Sequence, residues 1–253
     1  MRVKILGTGT SQGVPVIACN CKVCQSTDPN DKRLRAAALI EVNDVTIVID
    51  AGPDFRQQML REKVSDVDAI LITHEHRDHI AGLDDVRAFN FMNQKPVDIY
   101  AEPRVQEAIK SDFSYSFEDK KYPGVPQINL FDLTEESFHI KGVKITPIRV
   151  FHYKLPVFGF RIGDFAYITD ANYISEEEKK KLHGIKYLVI NALRKQKHIS
   201  HYSLAESIEI IKQLSPKRAY ITHISHQMGL HHDINEELPH GISLAYDGLR
   251  FDV

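Results

Sequence analysis

Short apolar runs of strand length recur from one end of the chain to the other: Val3 to Leu6, Ala37 to Val42, Val45 to Asp50, Ala69 to Thr73, Val97 to Ala101, Val143 to Val150, Val157 to Ile162, Phe165 to Thr169, Tyr187 to Asn191 and Ala219 to Thr222. Most are rich in Val, Ile and Tyr and are bounded by Gly, Pro, Asn or Asp, as strands are. Between some of them the period becomes helical, at Pro53 to Glu62, Asp84 to Phe91, Arg104 to Phe113, Ser175 to Leu182 and Ser203 to Leu214, the last with Leu204, Ile208, Ile211 and Leu214 on one face. Strands come in pairs as well as in alternation with helices. That pattern predicts an α/β chain with two mixed sheets between helices rather than one doubly wound parallel sheet. No Gly-, Pro- or Ser-rich linker and no repeat divides the 253 residues, so residues 1–253 are expected to form a single domain. The stretch Ser114 to Gln127, with Lys120, Lys121, Tyr122, Pro123, Gly124 and Pro126, reads as a long surface loop, either a lid or a plain connection.

Composition excludes several classes of partner. The formal charge of -2 gives no global field for nucleic acid or membrane. No apolar run approaches the roughly 20 residues of a membrane span, and Met1 leads into Arg2-Val3-Lys4-Ile5-Leu6 without a secretory segment, so a soluble cytoplasmic protein is expected. Three cysteines are too few for a disulfide framework. The 13 histidines are the compositional oddity, and many of them stand where an apolar run ends.

Directly after Ala69-Ile70-Leu71-Ile72 comes Thr73-His74-Glu75-His76-Arg77-Asp78-His79. Imidazoles and a carboxylate suit Zn, Mn or Fe, and alternate residues leaving a strand point the same way, so His74 and His76 can grip one ion while Asp78 and His79 hold a second. The alternative is a polar turn capped by Asp78, which leaves the clustered imidazoles without a packing reason. A two-metal site needs a bridging carboxylate. Asp170, which ends Phe165-Ala166-Tyr167-Ile168-Thr169, is the candidate, and His152 and His223 end apolar runs in the same way.

Every cysteine lies in Cys19-Asn20-Cys21-Lys22-Val23-Cys24. Such a knot reads as a closed structural zinc site with His226 as the fourth ligand; the plainer alternative is three thiols with no metal. Around His201, the basic stretch Asn191 to His201, with Arg194 and Lys197, reads as an anion site at the start of a helix or as a solvated charged loop. Leu6-Gly7-Thr8-Gly9-Thr10-Ser11-Gln12-Gly13 lacks the lysine of a phosphate-binding loop, and its glycines are read as permitting a tight turn.

The H-x-H-x-D-H run, followed in order by His152, Asp170 and His223, resembles the metallo-β-lactamase superfamily, which implies a four-layer αβ/βα sandwich with a dinuclear site at one end of the sheets. Within it, Gly7-Thr8-Gly9, the cysteine knot and the pair His223 and His226 resemble the phosphoribosyl cyclic phosphodiesterase family of the carbon-phosphorus lyase pathway. The resemblance implies that His74, His76 and His152 hold one metal (Zn or Mn), that Asp78, His79 and His223 hold the other, and that Asp170 bridges. It further implies a structural zinc on Cys19, Cys21, Cys24 and His226. Asp78 and His201 would be the catalytic residues, with His201 over the substrate phosphate and Arg194 and Lys197 binding substrate. The expected reaction is hydrolysis of a small phosphodiester, a cyclic ribose phosphate among the candidates. A metal-bridging water whose pKa falls from 15.7 towards about 7 would be the nucleophile, and His201 as imidazolium would protonate the leaving alkoxide. Ribonuclease Z-like RNA processing is an alternative, opposed by the charge and by the lack of an evident exosite arm; no stable nucleic-acid partner is expected. A cofactor-biosynthesis protein resembling the B protein of pyrroloquinoline quinone synthesis is another, opposed by the complete ligand set. Oligomeric state is left open, a homodimer included.

Overall fold

A computed structural model describes residues 1–120 and 122–253 of the chain. Along the first half run β1 (Arg2–Gly7), α1 (Lys22–Gln25), β2 (Ala37–Val42), β3 (Val45–Ile49), α2 (Phe55–Glu62), β4 (Ala69–Leu71), α3 (Arg77–Ile80), α4 (Arg87–Asn93), β5 (Val97–Ala101), α5 (Pro103–Asp112) and β6 (Ile128–Asp132). The second half runs β7 (Phe138–Ile140), β8 (Val143–His152), β9 (Leu155–Ile162), β10 (Phe165–Ile168), β11 (Tyr173–Ile174), α6 (Glu176–Lys181), β12 (Tyr187–Asn191), α7 (Leu204–Leu214), β13 (Arg218–Thr222), α8 (His231–Glu237), β14 (Ile242–Leu244) and β15 (Arg250–Asp252). Among the described residues the strands form two mixed sheets, one ordered β15-β1-β2-β3-β4-β5-β6 and the other β11-β8-β9-β10-β12-β13-β14 with β7 beside β8. Pairing is antiparallel where a tight turn joins neighbours, as at β2–β3 and β8–β9, and parallel where a helix intervenes, as at β4–β5 and β12–β13.

Side-chain alternation explains the layers. Ile5, Ile40, Ile47 and Leu71 of the first sheet pack against Phe158, Phe160, Tyr167 and Val189 of the second. The opposite face of the first sheet, with Leu39, Val48 and Ile70, takes Phe55 of α2 and Val105 and Ile109 of α5. The opposite face of the second, with Ala166, Ile168 and Leu188, takes Leu182, Ile210, Ile211 and Leu214. The result is the expected αβ/βα sandwich of helix, sheet, sheet and helix.

Helix α7 shows how local sequence sets a boundary. Ser203 accepts from the Glu206 backbone while Glu206 bonds back to the Ser203 N–H at 2.9 Å, a capping box. Its buried face includes Leu204, Ile210, Ile211 and Leu214; Ile208, expected on that face, is only half-buried. The glycines of the first loop also differ from expectation. A Cβ on Gly7 would lie 1.9 Å from the Arg35 carbonyl oxygen, so Gly7 is there for close approach of two backbones; Gly13, at φ +67°, makes the turn. In the 114–127 loop Tyr115 donates to Asp84 at 2.6 Å and Tyr122 is exposed; Lys121 lies outside the described residues.

Behind that first loop is a buried polar network. Arg33 donates to Thr8 Oγ1 at 2.9 Å, to the Ala245 carbonyl at 2.7 Å and to His231 Nδ1 at 3.0 Å. Burial lowers Arg33 to about 10, and burial together with the Arg33 charge lowers His231 to about 4. An unfolded histidine titrates near 6.5, so between about pH 6.5 and 4 the unfolded chain binds a proton that the folded one refuses. Stability carried by neutral His231 is therefore complete above about pH 6.5 and is lost as pH falls towards 4. Urea midpoints of His231→Gln should fall less steeply than wild type over that range; equal slopes would contradict the assignment.

Candidate metal centre

The strand ends of both sheets converge at one edge of the sandwich. His74 and His76 lie in the segment between β4 and α3, and Asp78 and His79 are in α3. His152 is the last residue of β8, Asp170 follows β10 and His223 follows β13. Asp170 and His223 have φ of 52° and 55°, a left-handed backbone that non-glycine residues seldom adopt and that is found where surrounding structure enforces it, often at functional sites.

The rings form a continuous cluster. Centroids of His74 and His76 are 4.5 Å apart, those of His76 and His152 5.2 Å, and those of His74 and His79 4.2 Å. Asp170 lies between the groups, with Oδ2 3.2 Å from His79 Nε2 and Oδ1 3.1 Å from His223 Nε2. Asp78 Oδ2 stands 3.2 Å from His79 Nε2 and 3.6 Å from His223 Nε2. These contacts are close but misaligned for hydrogen bonding: the buried atoms His74 Nε2, His79 Nε2 and His223 Nε2 have no hydrogen-bond partner. Buried polar atoms are rarely left so. Nitrogens and carboxylate oxygens converging on common points without bonding one another is the arrangement of a cation site, and the donor set is nitrogen and oxygen as Zn and Mn require.

In His79, His74 and His152 the Nδ1 atom is occupied, which aims Nε2 inward; His223 has neither ring nitrogen bonded. His79 Nδ1 is 2.7 Å from Asp50 Oδ2, and Asp50 also accepts from Thr73 N at 2.9 Å and Thr73 Oγ1 at 3.0 Å. Thr73 Oγ1 is 3.0 Å from His74 Nδ1, His152 Nδ1 donates to the Ser200 carbonyl at 2.7 Å, and Thr169 donates to Asp170 at 2.6 Å. Electrostatics follow from this crowding. Burial opposes charge on His79, yet Asp50, Asp78 and Asp170 raise it well above the usual imidazole value. Burial opposes ionisation of Asp170, yet His223 and His79 hold it well below the carboxylate range. Burial and the neighbouring His79 push His74 well down.

Sequence reasoning missed Asp50, Thr73 and Ser200. A signal existed for the first, since Asp50 ends an apolar run as Asp170 does; it too adopts positive φ, at 64°. It also missed the ion-pair ladder that ties the two halves of the site. Arg104 of α5 pairs with Glu75, inside the H-x-H-x-D-H run, and donates to the carbonyl of Pro156 in β9. Arg104 meets Glu102 at 3.1 Å, Glu102 meets Arg149 of β8 at 2.5 Å, and the Arg149 guanidinium lies 3.7 Å from the Phe158 ring centroid.

His201 is buried against the cluster, 4.4 Å from the His152 ring centroid and stacked on His223 at 4.9 Å. Its expected imidazolium form is corrected here: burial lowers it to about 3, and Asp170 at 3.7 Å only partly opposes that, so it is neutral. Arg194 spends Nη1 on Gln227 at 2.6 Å and Nη2 on the Lys197 carbonyl at 3.2 Å. The Lys197 side chain is exposed and 3.8 Å from Glu206. Neither joins the histidine cluster.

The cysteine knot forms a second convergence. Cys19, Cys21 and Cys24 Sγ stand 3.3, 3.4 and 3.6 Å from His226 Nδ1. A tetrahedron with Zn–S near 2.3 Å and Zn–N near 2.0 Å has S–N edges of about 3.5 Å, so the residues fit a closed zinc site. The Cys24 backbone N–H bonds to Cys21 Sγ and lowers its thiol to about 6, while burial raises Cys24 to about 11. The two convergences share a loop: Ile224, between His223 and His226, donates to the Thr8 carbonyl at 2.8 Å and accepts from Thr10 at 3.1 Å.

Residues 45–224 match the beta-lactamase superfamily domain, which defines the class of this fold and site. The chain belongs to the PhnP family of that superfamily: its structure matches the crystal structure of a diphosphatase from the PhnP family at TM-score 0.93 and 38% identity, covering 100% of this chain and 97% of that one. In fold alone it is similar to Zn-bound PqqB from Methylobacterium extorquens, at TM-score 0.82 and 20% identity over 100% of both chains. It is 40% identical over 253 residues to a protein named octanoyltransferase from Porphyromonas gingivalis, covering 98% of this chain and 51% of the relative. The chain thus spans about half the length of that curated relative. It has the metallo-β-lactamase fold, and among its described residues no helix is long and apolar enough to cross a membrane.

Proposed function

We propose that this chain, acting as one domain, is a dinuclear-metal phosphodiesterase that hydrolyses a small phosphodiester, with a cyclic ribose phosphate or a diphosphate linkage as the candidate bonds. The observation that carries the reading is the set of buried, unpartnered imidazole nitrogens around Asp170. His74, His76 and His152, whose ring centroids lie 4.5 to 6.0 Å apart, would hold one divalent ion; Asp78, His79 and His223 would hold the other, Asp170 both, and Cys19, Cys21, Cys24 and His226 a structural zinc. Paired Zn or Mn ions supply, when bound, Lewis acidity that neutralises phosphoryl charge and makes water nucleophilic at neutral pH.

The chain's own residues do the rest. Asp50, Thr73 and Ser200 fix the ring orientations of His79, His74 and His152. Neutral His201, at the rim beside His152 and His223, offers an N–H to a bound phosphoryl oxygen. Metal-loaded protein should cleave bis(p-nitrophenyl) phosphate and at least one of ribose cyclic phosphate and a dinucleotide diphosphate. The name of the Porphyromonas relative makes an octanoyl thioester the pointed counter-substrate. Thioester cleavage with all the phosphate substrates untouched would overturn the reading.

Arg104 supplies a separate prediction. Because it ties the loop of His74 and His76 to the β8–β9 pair that carries His152, Arg104→Ala should weaken one ion by about tenfold to a hundredfold, the usual effect of losing a support outside the ligand set. Competitive metal titration reads this, and unchanged affinity for both ions would contradict it.

A further inference from the structure

Strands β8 and β9 are joined by two residues, Tyr153 and Lys154, between the pair His152 and Leu155. Tyr153 takes φ of 59°. Two-residue hairpins favour Gly, Asn or Asp where φ is positive. The β2–β3 turn obeys this with Asn43 and Asp44, and the β9–β10 turn with Gly163. Among the described non-glycine residues with positive φ, Tyr153 is the one large side chain with an apolar body. Tyr153 is 52% exposed and its recorded ring contact is Lys154 Nζ, 5.5 Å from the centroid, so little packing offsets the strain.

Its surroundings connect it to the site. Asn172 Oδ1 accepts from the Tyr153 N–H at 2.7 Å, and Asn172 Nδ2 donates to the carbonyl of Ile199 at 3.0 Å, so one amide stitches two loops together. Ile199 is 67% exposed. One residue along from Tyr153 is His152, bonded to Ser200, and two residues along from Ile199 is His201, whose ring lies against that of His152. Each loop thus presents an exposed apolar side chain at the edge of the cluster and an imidazole within it.

We propose that Tyr153, tied through Asn172 to the backbone of Ile199, is a platform for a planar aromatic group, and that the substrate is a phosphate ester carrying a nucleobase; the inference rests on the phosphoesterase reading. Strain of this kind persists where function requires the side chain, and a tyrosine face suits any base because every base has a π-face. The phosphate would lie among the imidazoles and the base against Tyr153.

Calorimetric titration of the divalent-metal-loaded protein with AMP and with ribose 5-phosphate tests this without turnover. Wild type should bind AMP more tightly by about tenfold, within the range of one base stacked on an aromatic ring. Tyr153→Phe should keep that preference. Tyr153→Gly should lose it while its Tm rises by about 2 °C as the backbone strain is relieved. Equal binding of the two ligands by wild type, or an undiminished preference in Tyr153→Gly, would overturn the platform. Failure to hydrolyse any diester would count against the phosphodiesterase reading alone, since the preference is read from binding.

Discussion

Asp170→Ala is expected to abolish turnover and to release metal from the histidine cluster. The carboxylate approaches the nitrogens of His79 at 3.2 Å and His223 at 3.1 Å, and it also groups with His74 and with His152 and His201 as a candidate ligand. Its loss leaves two sets of imidazoles with no shared anion. A two-ion site supplies several kcal/mol of charge stabilisation in the transition state, and each 1.4 kcal/mol is tenfold in rate. Activity on a phosphodiester should fall on the order of a thousandfold or more, and metal content should drop in the same preparation. A variant that keeps its metal and stays within about tenfold of wild type would show that Asp170 is not the common ligand.

Cys21→Ser should act on stability instead. Cys21 caps α1, accepts from Cys24 N at 3.5 Å and lies 3.4 Å from His226 Nδ1, so its thiolate is prepared before any ion arrives. A hydroxyl is a poor replacement for thiolate, and structural zinc contributes folding free energy outright. At about 2–4 °C of Tm per kcal/mol for a chain of this size class, the loss should lower Tm on the order of 10 °C and remove one zinc per chain. An unchanged Tm with an unchanged zinc count would leave the knot as three thiols beside a histidine. Because Ile224 ties the loop to Thr8 and Thr10, the histidine cluster should keep its metal in this variant.

Much of the histidine cluster was legible in the sequence because four of its residues fall between His74 and His79 and the other three each end an apolar run. An apolar run becomes a strand, and residues at strand ends gather at one edge of a sheet, so His152, Asp170 and His223 could be placed without knowing the strand order. The supports were not legible. Glu75 finds Arg104, and His152 finds the Ser200 carbonyl, only through tertiary packing. The protonation of His201 is set by burial that no local pattern announces.

The fold divides in the same way. Long buried strands such as β8 and β12 carried their own signal, whereas β6, β7, β11, β14 and β15 are short or half-exposed and lack the apolar runs that betray the others. Helices α1 and α3 have four residues each, too short for the helical period to show, and α8 was not read from the sequence either. Backbone strain is equally silent in sequence: nothing local announces the positive φ values of Asp50, Tyr153, Asp170 and His223.

The central claim is that this fold gathers two divalent ions among His74, His76, Asp78, His79, His152, Asp170 and His223, and a third among the cysteines and His226. Elemental analysis of the protein as isolated, with quantitative amino-acid analysis of the same sample, tests it most directly. Three metal atoms per chain, at least one of them zinc, is the result predicted; a count of one or none that does not rise on incubation with zinc or manganese would contradict it.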